Sequence, residues 1–270
     1  MIRKIVFILA FSALLNVGHA NAGATGSEEL KTVSGNATAN ECFEGFSRAM
    51  FSFNHALDKT VFKPVAKGYR ALPVPIRKGT GNVVNNLRSL LTLSNNILQG
   101  DFREAGNTAG RFVVNTTVGV LGIFDPASSF GLEKNGKEDF GQTMGVWGAD
   151  SGCYFVLPIL GPTTTRDAIG LVGNVFLDPV YQITHDTEIS NGVIGNGNYS
   201  EHNYYYYRAT GSVDFRAKNI ESFDSVEKNS IDLYASMKSL YLQDRIKKIL
   251  NTQSAVETQD DSDWEEIDTN

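Results

Sequence analysis

The chain contains four histidines, and their spacing does not match that of a metal site. His55, His185 and His202 lie far apart, and none belongs to an H-x-x-x-H or H-E-x-x-H arrangement. Those spacings would place two ligands on one helix face around a zinc ion. The fourth, His19, lies within an amino-terminal segment that we expect to be removed. The sequence therefore predicts no metal site.

The sequence also lacks the motifs of the common hydrolases and nucleotide-binding proteins. The G-x-S-x-G pattern that exposes a serine nucleophile at a strand–helix turn is absent. The glycine-rich run 192–197 has neither the lysine nor the spacing of a phosphate-binding loop. The neighbouring acids Glu138 and Asp139 lie in a charged segment, which is typical of solvated side chains. We predict no catalytic residues and no cofactor, and therefore a protein that is not an enzyme.

Two features leave alternatives open. The run Tyr204–Tyr207 fits an aromatic belt at a membrane interface, since tyrosine has an apolar body and a polar tip, and it fits equally a helix edge that packs on two sides. The two cysteines, Cys42 and Cys153, lack CxxC spacing, so they are either buried thiols or a disulfide formed after export.

The amino terminus indicates export. Arg3 and Lys4 precede an apolar run, and Ala20-Asn21-Ala22 follows it, which is the pattern of a cleaved secretory signal at residues 1–22. The apolar run has about 11 residues, whereas a spanning helix needs about 20. We expect residues 23–40 to be a flexible leader and residues 251–270 to be a disordered acidic tail.

The charge distribution argues against a nucleic-acid partner. The 270-residue chain has a formal net charge of −6, and seven of its acidic residues lie between Glu257 and Asp268. The remaining body is close to neutral, whereas a nucleic-acid-binding protein needs a basic face.

Hydrophobic periodicity predicts a mainly α-helical body over residues 41–250. Large side chains recur every three or four residues from Phe43 to Leu57, and a long amphipathic helix is predicted for 220–250. Gly100 should end one helix, while Asp101 with Glu104 and Thr164 with Asp167 should begin two others.

Two apolar segments interrupt this helical pattern. Residues 118–126 and 153–162 are almost wholly apolar, contain glycine and proline, and neither alternate like a half-buried strand nor reach the length of a spanning helix. The segment 131–152 is rich in glycine around Phe140 and Trp147. These segments fit either a compact core crossed by tight turns or apolar surface in a lipid interface.

Several motifs in the body resemble those of the MlaA/VacJ family of outer-membrane proteins. The resemblance covers residues 41–250 in the family's order. The motifs are 44–54 (EGFSRAMFSFN), 63–66 (KPVA), 95–100 (NNILQG), 110–116 (GRFVVNT), 122–127 (GIFDPA), 139–148 (DFGQTMGVWG), 154–162 (YFVLPILGP), 166–167 (RD), 178–181 (DPVY) and 232–235 (DLYA).

The resemblance implies a ring-like bundle of amphipathic helices with Gly/Pro-broken apolar loops, embedded in the inner leaflet of the outer membrane. It further implies removal of mislocalised phospholipids from the outer leaflet through an amphipathic passage. The implied partners are phospholipids, a trimeric outer-membrane porin and a periplasmic lipid-carrier protein. A phospholipid has a charged end and two apolar tails, so such a route needs a polar lane beside an apolar wall.

The resemblance also suggests which residues line this route. We expect Phe140, Gly141, Gly145 and Trp147 to line it, with an apolar wall from Phe155, Leu157 and Ile159. Aromatic residues at helical spacing are also typical of a core, which remains the alternative.

We expect Phe46, Phe51, Phe53 and Asn54 of the first helix to brace the ring. Here too, packing in an ordinary core remains the alternative.

The chain departs from the family at three positions that we identify. Family members usually have a lipobox cysteine at the signal cleavage site, where this chain has Ala20-Asn21-Ala22, so we expect a mature protein on the periplasmic side of the outer membrane that is not acylated. Cys42 and Cys153 both replace residues that are commonly proline in the family, which favours a disulfide between them.

Two other functions compete with lipid transport. A lipid hydrolase would need a nucleophile and a base, which the sequence lacks. A structural or surface protein that supports the envelope and intercellular spread is the other alternative, and it would be exposed outside the cell.

Overall fold

The computed structural model describes Ala39 and residues 41–134, 136–185 and 202–250. The predicted signal peptide, the predicted leader apart from Ala39, the predicted acidic tail and the glycine-rich run 192–197 lie outside the described residues. Within them the protein is mainly α-helical, as predicted.

The first helical segment continues through an irregular turn. Helix α1 (Glu44–Leu57) leads through a π-helical turn (Asp58–Phe62) into α2 (Lys63–Arg70). Pro64 has no N–H to donate to the preceding turn, and its ring crowds the carbonyl four residues earlier. The π turn lies just before this proline, where a widened turn accommodates it.

Two long antiparallel neighbours follow. Helix α3 (Val74–Gln99) ends at Gly100, whose φ of 79° is left-handed, and α4 (Phe102–Thr117) begins with Asp101, whose carboxylate accepts a hydrogen bond from the Glu104 N–H at 3.1 Å. Both predicted boundaries are confirmed. Helix α3 starts at Val74, because Pro73 is extended and Pro75 fits the first turn of a helix.

The middle of the chain contains short helices and one hairpin. Helices α5 (Pro126–Ser129) and α6 (Phe140–Val146) precede strands β1 (Tyr154–Leu157) and β2 (Gly161–Thr164), which pair antiparallel. Helix α7 (Thr165–Leu177) begins where Thr164 accepts a hydrogen bond from the Asp167 N–H, as predicted, and α8 (Pro179–His185) follows.

The prediction that 153–162 has no strand character is wrong. Tyr154 and Val156 are buried while Phe155 and Leu157 are half-buried, so the strand alternates in burial although all four residues are apolar. An all-apolar strand hides this alternation from sequence analysis.

The carboxyl-terminal segment forms three helices: α9 (His202–Lys218), α10 (Ile220–Asn229) and α11 (Leu233–Ile249). The prediction of one continuous helix over 220–250 is wrong. Ser230 is extended, and the Asp232 carboxylate accepts a hydrogen bond from the Ala235 N–H at 3.1 Å, which caps a new helix.

The helices and the hairpin pack in a closed circuit within the unit 37–270. Helix α1 contacts β1, β2 contacts α11, α11 contacts α6, and α6 contacts α3; α3 then contacts α9, α9 contacts α2, and the π turn joins α2 to α1. The predicted ring-like bundle requires such a circuit.

Within the described residues, buried apolar side chains form two small clusters, and others, such as Leu91 and Tyr204, lie outside both. One cluster contains Tyr154, Val156, Tyr234 and Leu242 together with Ala39, and the other contains Ala66, Ala217 and Ile220. Among the described residues, buried polar side chains outnumber buried apolar ones.

Candidate lipid-contact surface and polar interior

The first broken apolar segment lies on the surface in a strained conformation. Val120 and Leu121 have φ of 53° and 59°, in the left-handed region that side chains other than glycine rarely adopt. Val120 is 54% exposed, Leu121 70% and Phe124 62%. The segment therefore presents its apolar side chains outwards and does not pack them in a core.

A polar clamp beneath this segment fixes its conformation. Arg111 of α4 donates two hydrogen bonds to Asp125, at 2.8 and 2.9 Å. Asn115 donates to the same carboxylate at 2.9 Å and accepts from the Ala127 N–H at 3.1 Å. Burial raises the Asp125 pKa, but the hydrogen bonds from Ser128 and Asn115 and the charge of Arg111 outweigh it and lower this pKa to about 2. The clamp is therefore ionised at neutral pH.

The turn of the hairpin has the same character. Ile159 has a φ of 67° and is 64% exposed, and Leu160 beside it is 68% exposed. Asn54 of α1 holds both sides of the turn: its side-chain amide donates to the Leu157 carbonyl at 2.8 Å, and its oxygen accepts from the Ile159 N–H at 2.7 Å. Within the described residues, Val120, Leu121 and Ile159 are the non-glycine residues with positive φ.

Several helices also expose their apolar faces. Large exposed side chains on α1, α4 and α7 are Phe46, Phe53, Phe102, Val113, Ile169, Val172 and Phe176. On α7 the buried residues are instead Arg166, Asp167 and Gly170. The amphipathic pattern is therefore inverted relative to that of a helix in a water-soluble protein, where the apolar face is buried.

The buried faces are joined by hydrogen-bonded polar side chains. Helix α3 buries Asn86, Thr92, Asn95 and Asn96. Asn95 accepts from the Thr143 hydroxyl of α6 at 2.8 Å, and the Asn86 amide donates to Thr116 of α4 at 2.9 Å. These bonds fix α3 against α4 and α6, because buried polar groups are stable only when they are paired.

An ion cluster joins α6, α7 and α11. Arg245 donates to Asp139 at 2.6 and 3.0 Å and to Asp167 at 2.7 Å, and the Tyr241 hydroxyl donates to Asp167 at 2.5 Å. Burial alone would raise the Asp139 pKa, but the hydrogen bonds and charge of Arg245 outweigh it and hold this pKa well below its ordinary value. Nearby Glu138 makes no ion pair within the described residues, and burial raises its pKa to about 7.

The structure places the glycines of the predicted route within this packing. A Cβ at Gly141 would lie 2.7 Å from an Asp167 oxygen, and one at Gly145 would lie 2.7 Å from an Ile249 methyl. Gly170 of α7 closely contacts the Gly141 backbone. Both predicted route glycines therefore allow close approach of α6 to its neighbours.

The aromatic residues of the same segment lie nearer the surface. Phe140 is half-buried and packs edge-to-face on Trp147, with ring centroids 5.9 Å apart. Trp147 is exposed, and its indole N–H donates to the Leu98 carbonyl at 3.0 Å. On the hairpin, Phe155 and Leu157 are half-buried, on the strand face opposite Tyr154 and Val156.

Of the four residues predicted to brace the ring, two make contacts between elements. Phe51 packs on Tyr234 of α11, with ring centroids 5.5 Å apart, and Asn54 holds the hairpin turn. Phe46 and Phe53 are about half exposed. Phe51 and Asn54 thus tie α1 to α11 and to the hairpin, and a bracing role for all four residues stays a prediction.

Cys42 and Cys153 form a disulfide, with Cα atoms 5.6 Å apart. It lies beside the bridge between Glu41 and Tyr154 and ties the chain before α1 to the start of β1.

The tyrosine run divides between two environments. Tyr204 is buried and packs edge-to-face on Tyr181 of α8, with ring centroids 5.1 Å apart, whereas Tyr205 and Tyr206 are exposed. Packing against a second helix therefore holds for Tyr204, and the membrane-interface interpretation of the run stays a prediction.

The interpretation of Glu138 and Asp139 as solvated side chains is wrong, because Glu138 is buried and Asp139 is bound by Arg245. Sequence analysis also did not single out Arg111, Asp125 or Arg245, or Arg88 of α3, whose Nε is buried. Arg111, Asp125 and Asp139 lie within motifs that carried the family resemblance, which was a signal that could have singled them out. No local pattern distinguishes the two others.

The described residues include no helix long and apolar enough to cross a membrane. In the same part of the chain, no group of three or more histidine, cysteine, aspartate or glutamate residues is placed to hold a metal ion.

Comparisons with known proteins agree on one family. The family model described as MlaA lipoprotein matches residues 39–248. A protein of Rickettsia bellii described as uncharacterized is 32% identical over 227 residues, which cover 81% of this chain and 82% of that protein. The intermembrane phospholipid transport system lipoprotein MlaA of Haemophilus influenzae is 30% identical over 247 residues, which cover 90% of this chain and 89% of that protein.

A solved structure extends the similarity to the fold. It is described as the structural basis for maintenance of bacterial outer membrane lipid asymmetry, and it superposes with a TM-score of 0.64 at 27% identity, covering 78% of this chain and 99% of that one. The matched region contains the whole helical circuit, the clamp and the hairpin, and the chain belongs to the MlaA lipoprotein family.

Proposed function

We propose that this protein is an outer-membrane component of intermembrane phospholipid transport that maintains the lipid asymmetry of that membrane. It removes mislocalised phospholipids from the outer leaflet through an amphipathic passage and hands them to a periplasmic carrier. The names of the Haemophilus relative and of the solved structure support the assignment to this transport system. The arrangement of polar and apolar side chains supports the mechanism.

The observation that carries the proposal is the strained, exposed aliphatic surface. Each left-handed aliphatic residue costs about 1–2 kcal/mol of conformational energy, and exposing its side chain to water gains nothing for the fold. Val120, Leu121 and Ile159 combine both costs. A lipid environment offsets them, since apolar side chains gain free energy when acyl chains replace water.

The polar interior supplies the second requirement of a lipid route. A phospholipid headgroup needs hydrogen-bonding groups, whereas the acyl chains need an apolar wall. The buried amides and hydroxyls of α3 and α6 bond to each other and make the packing there polar, so the polar lane falls to accessible polar side chains of α3, such as Asn85. Phe155, Leu157 and Ile159 offer an apolar wall at the hairpin. Phe140 and Trp147 border the same route, and Gly141 and Gly145 shape it by holding α6 close to its neighbours.

The same surface accounts for membrane attachment without a spanning helix. Apolar faces of α1, α4 and α7 are exposed, and they would sink into the inner leaflet and contact a trimeric porin. Attachment would then need no acyl chain. We expect an unmodified mature amino terminus, and a lipid-modified amino-terminal peptide in mass spectrometry would contradict this part of the proposal.

The test measures phospholipid in the outer leaflet of cells. Deletion of the gene should increase outer-leaflet phospholipid, and expression of the wild-type chain should restore the low level. Ile159→Asp should fail to restore it while remaining folded, because aspartate tolerates the left-handed conformation better than isoleucine. Ile159→Leu, which keeps an apolar side chain, is the matched control and should restore the low level.

Normal lipid asymmetry in the deletion strain would refute the proposal and favour a structural envelope role. Incubation of the purified protein with labelled phospholipid tests the remaining alternative. Intact bound lipid supports transport, whereas cleavage products would indicate a hydrolase.

A further inference from the structure

One half-buried arginine forms no ion pair within the described residues. Arg88 lies on α3, and its Nε is shielded from solvent without a hydrogen-bond partner in the described part of the chain. Other interior arginines are paired, such as Arg245 with Asp139 and Arg216 with Asp58. A guanidinium partly withdrawn from water and without an ion pair is unfavourable for the fold, and an anionic ligand would offset this cost.

A second arginine faces Arg88 from α9. Val84 of α3 contacts Gly211 of α9, where a Cβ would lie 3.0 Å from a Val84 methyl. One turn onwards along α3 is Arg88, and one turn back along α9 is Tyr207, beside Arg208. Burial lowers the Arg88 pKa, and the like charge of Arg208 lowers it further. The helix contact therefore places Arg88 opposite the turn that carries Tyr207 and Arg208, and the two like charges repel each other.

Two carboxylates, Asp139 and Asp178, lie near enough to act on the Arg88 charge, but neither forms an ion pair with it within the described residues. Asp139 is already bound by Arg245. One oxygen of Asp178 accepts from the Val180 N–H at 3.0 Å, and the other is buried without a partner within the described residues. Burial raises the Asp178 pKa, although the hydrogen bond from the Val180 N–H and the charge of Arg208 act against that shift. An added anion would relieve the repulsion between the two arginines.

Tyr207 adds a hydrogen-bond donor. Burial, together with the charge of Asp178, raises its pKa to about 12, so the hydroxyl keeps its proton at neutral pH. A planar guanidinium with two parallel N–H donors matches the oxygens of a phosphate group. Two arginines and a hydroxyl form a recognition set for one phosphate.

We propose that Arg88 and Arg208, assisted by the Tyr207 hydroxyl, bind the phosphodiester of a phospholipid on its way through the interior. This inference rests on the proposed function. The shared chemistry is that of a phosphate group, which a lipid headgroup or free inorganic phosphate can supply.

The experiment measures binding by the purified full-length protein. Wild type, Arg88→Gln and Arg88→Lys are incubated with vesicles of phosphatidylethanolamine and phosphatidylglycerol that contain a labelled phospholipid, and bound lipid is counted after separation. Loss of a charge-assisted contact should weaken phospholipid binding about 10- to 100-fold in Arg88→Gln, and Arg88→Lys should recover part of it. Labelled diacylglycerol has no phosphate and should bind equally to all three.

Two controls separate recognition from folding. Arg103→Gln removes an exposed arginine of α4 and should leave phospholipid binding unchanged. The melting temperature of Arg88→Gln should equal or exceed that of wild type, because the substitution removes a partly buried charge that has no ion pair. A clear fall in melting temperature would overturn the inference by assigning Arg88 a structural role.

The remaining outcomes distinguish the sources of phosphate. Competition by inorganic phosphate for phospholipid binding supports the shared site, whereas phosphate that binds without competing would overturn the lipid assignment. Equal phospholipid binding by wild type and Arg88→Gln overturns the inference and leaves the proposed function standing. If wild type binds no phospholipid, the proposed function fails, and the lipid assignment fails with it. Loss of inorganic phosphate binding in Arg88→Gln would then still support the anion site.

Discussion

Replacing the two strained aliphatic residues of the first apolar segment by asparagine should separate the needs of the fold from those of the membrane. In Val120→Asn/Leu121→Asn, both positions keep a residue that tolerates positive φ. If water surrounded this segment in the native protein, asparagine at both positions would give a more stable fold than valine and leucine. We expect the melting temperature of this double variant in detergent to equal or exceed that of wild type.

Membrane binding of the double variant should fall. Full burial of a valine or leucine side chain gains about 1.5–3 kcal/mol. Val120 and Leu121 are 54% and 70% exposed, so transfer of their exposed parts into lipid contributes about 2.5 kcal/mol in total. The partition constant for phospholipid vesicles should therefore fall about 70-fold.

Vesicle flotation at several lipid concentrations measures this constant. The matched control, Val120→Leu/Leu121→Met, keeps the apolar area and should float like wild type. Unchanged flotation of the asparagine variant would refute the placement of this segment in lipid. A fall of several degrees in its melting temperature would show instead that the fold needs both aliphatic side chains.

Three further predictions concern the interior. Arg245→Met should lower the free energy of unfolding by about 3–5 kcal/mol in urea denaturation, because it leaves buried carboxylates unpaired. Since the Asp139 pKa is lowered, the stabilisation that Arg245 provides is complete above about pH 4 and is lost as the pH falls towards the lowered Asp139 pKa. The free energies of unfolding of the variant and of wild type should therefore converge in acid. Gly170→Ala should prevent native packing, because its Cβ would lie 2.5 Å from the Gly141 nitrogen, whereas Gly106→Ala meets no atom within 4 Å and should stabilise α4 by up to about 1 kcal/mol in thermal melts. Reduction of the disulfide, which closes a sequence separation of 111 residues, should lower the free energy of unfolding by about 4–5 kcal/mol, and equal urea midpoints with and without reductant would contradict this.

The features that sequence analysis predicted correctly depend on local interactions. Asp101 caps α4 and Gly100 ends α3 because residues a few positions apart determine those hydrogen bonds. The mainly helical fold follows from the periodicity of large side chains. That periodicity does not reveal whether the apolar face of a helix packs in a protein core or contacts lipid, since apolar side chains are favoured in both environments.

The features that it missed depend on contacts between distant residues. Arg245 meets Asp139 across 106 positions, and no pattern in either segment encodes that pairing. The place of Gly141 in the lipid route stays a prediction, whereas the close approach of Gly170 to it could not be inferred from its glycine-rich surroundings. The break before α11 was missed because the apolar period continues through Ile231, which is fully exposed.

The polar interior and the apolar surface have one physical explanation. A helix in water gains most by burying its apolar face, so helices whose exposed faces are apolar associate only if their polar faces offer specific bonds. The Asn95–Thr143 bond, the Arg111–Asp125 clamp and the Arg245 cluster supply such bonds between elements. Because these bonds are directional, they hold the circuit together alongside the two small clusters of buried apolar side chains. Under the proposed function, the apolar surface is thereby left for contact with lipid, and the polar interior can provide partners for a headgroup that has left the water. A substitution that made this interior apolar would remove the headgroup's hydrogen-bonding partners even if the protein still folded.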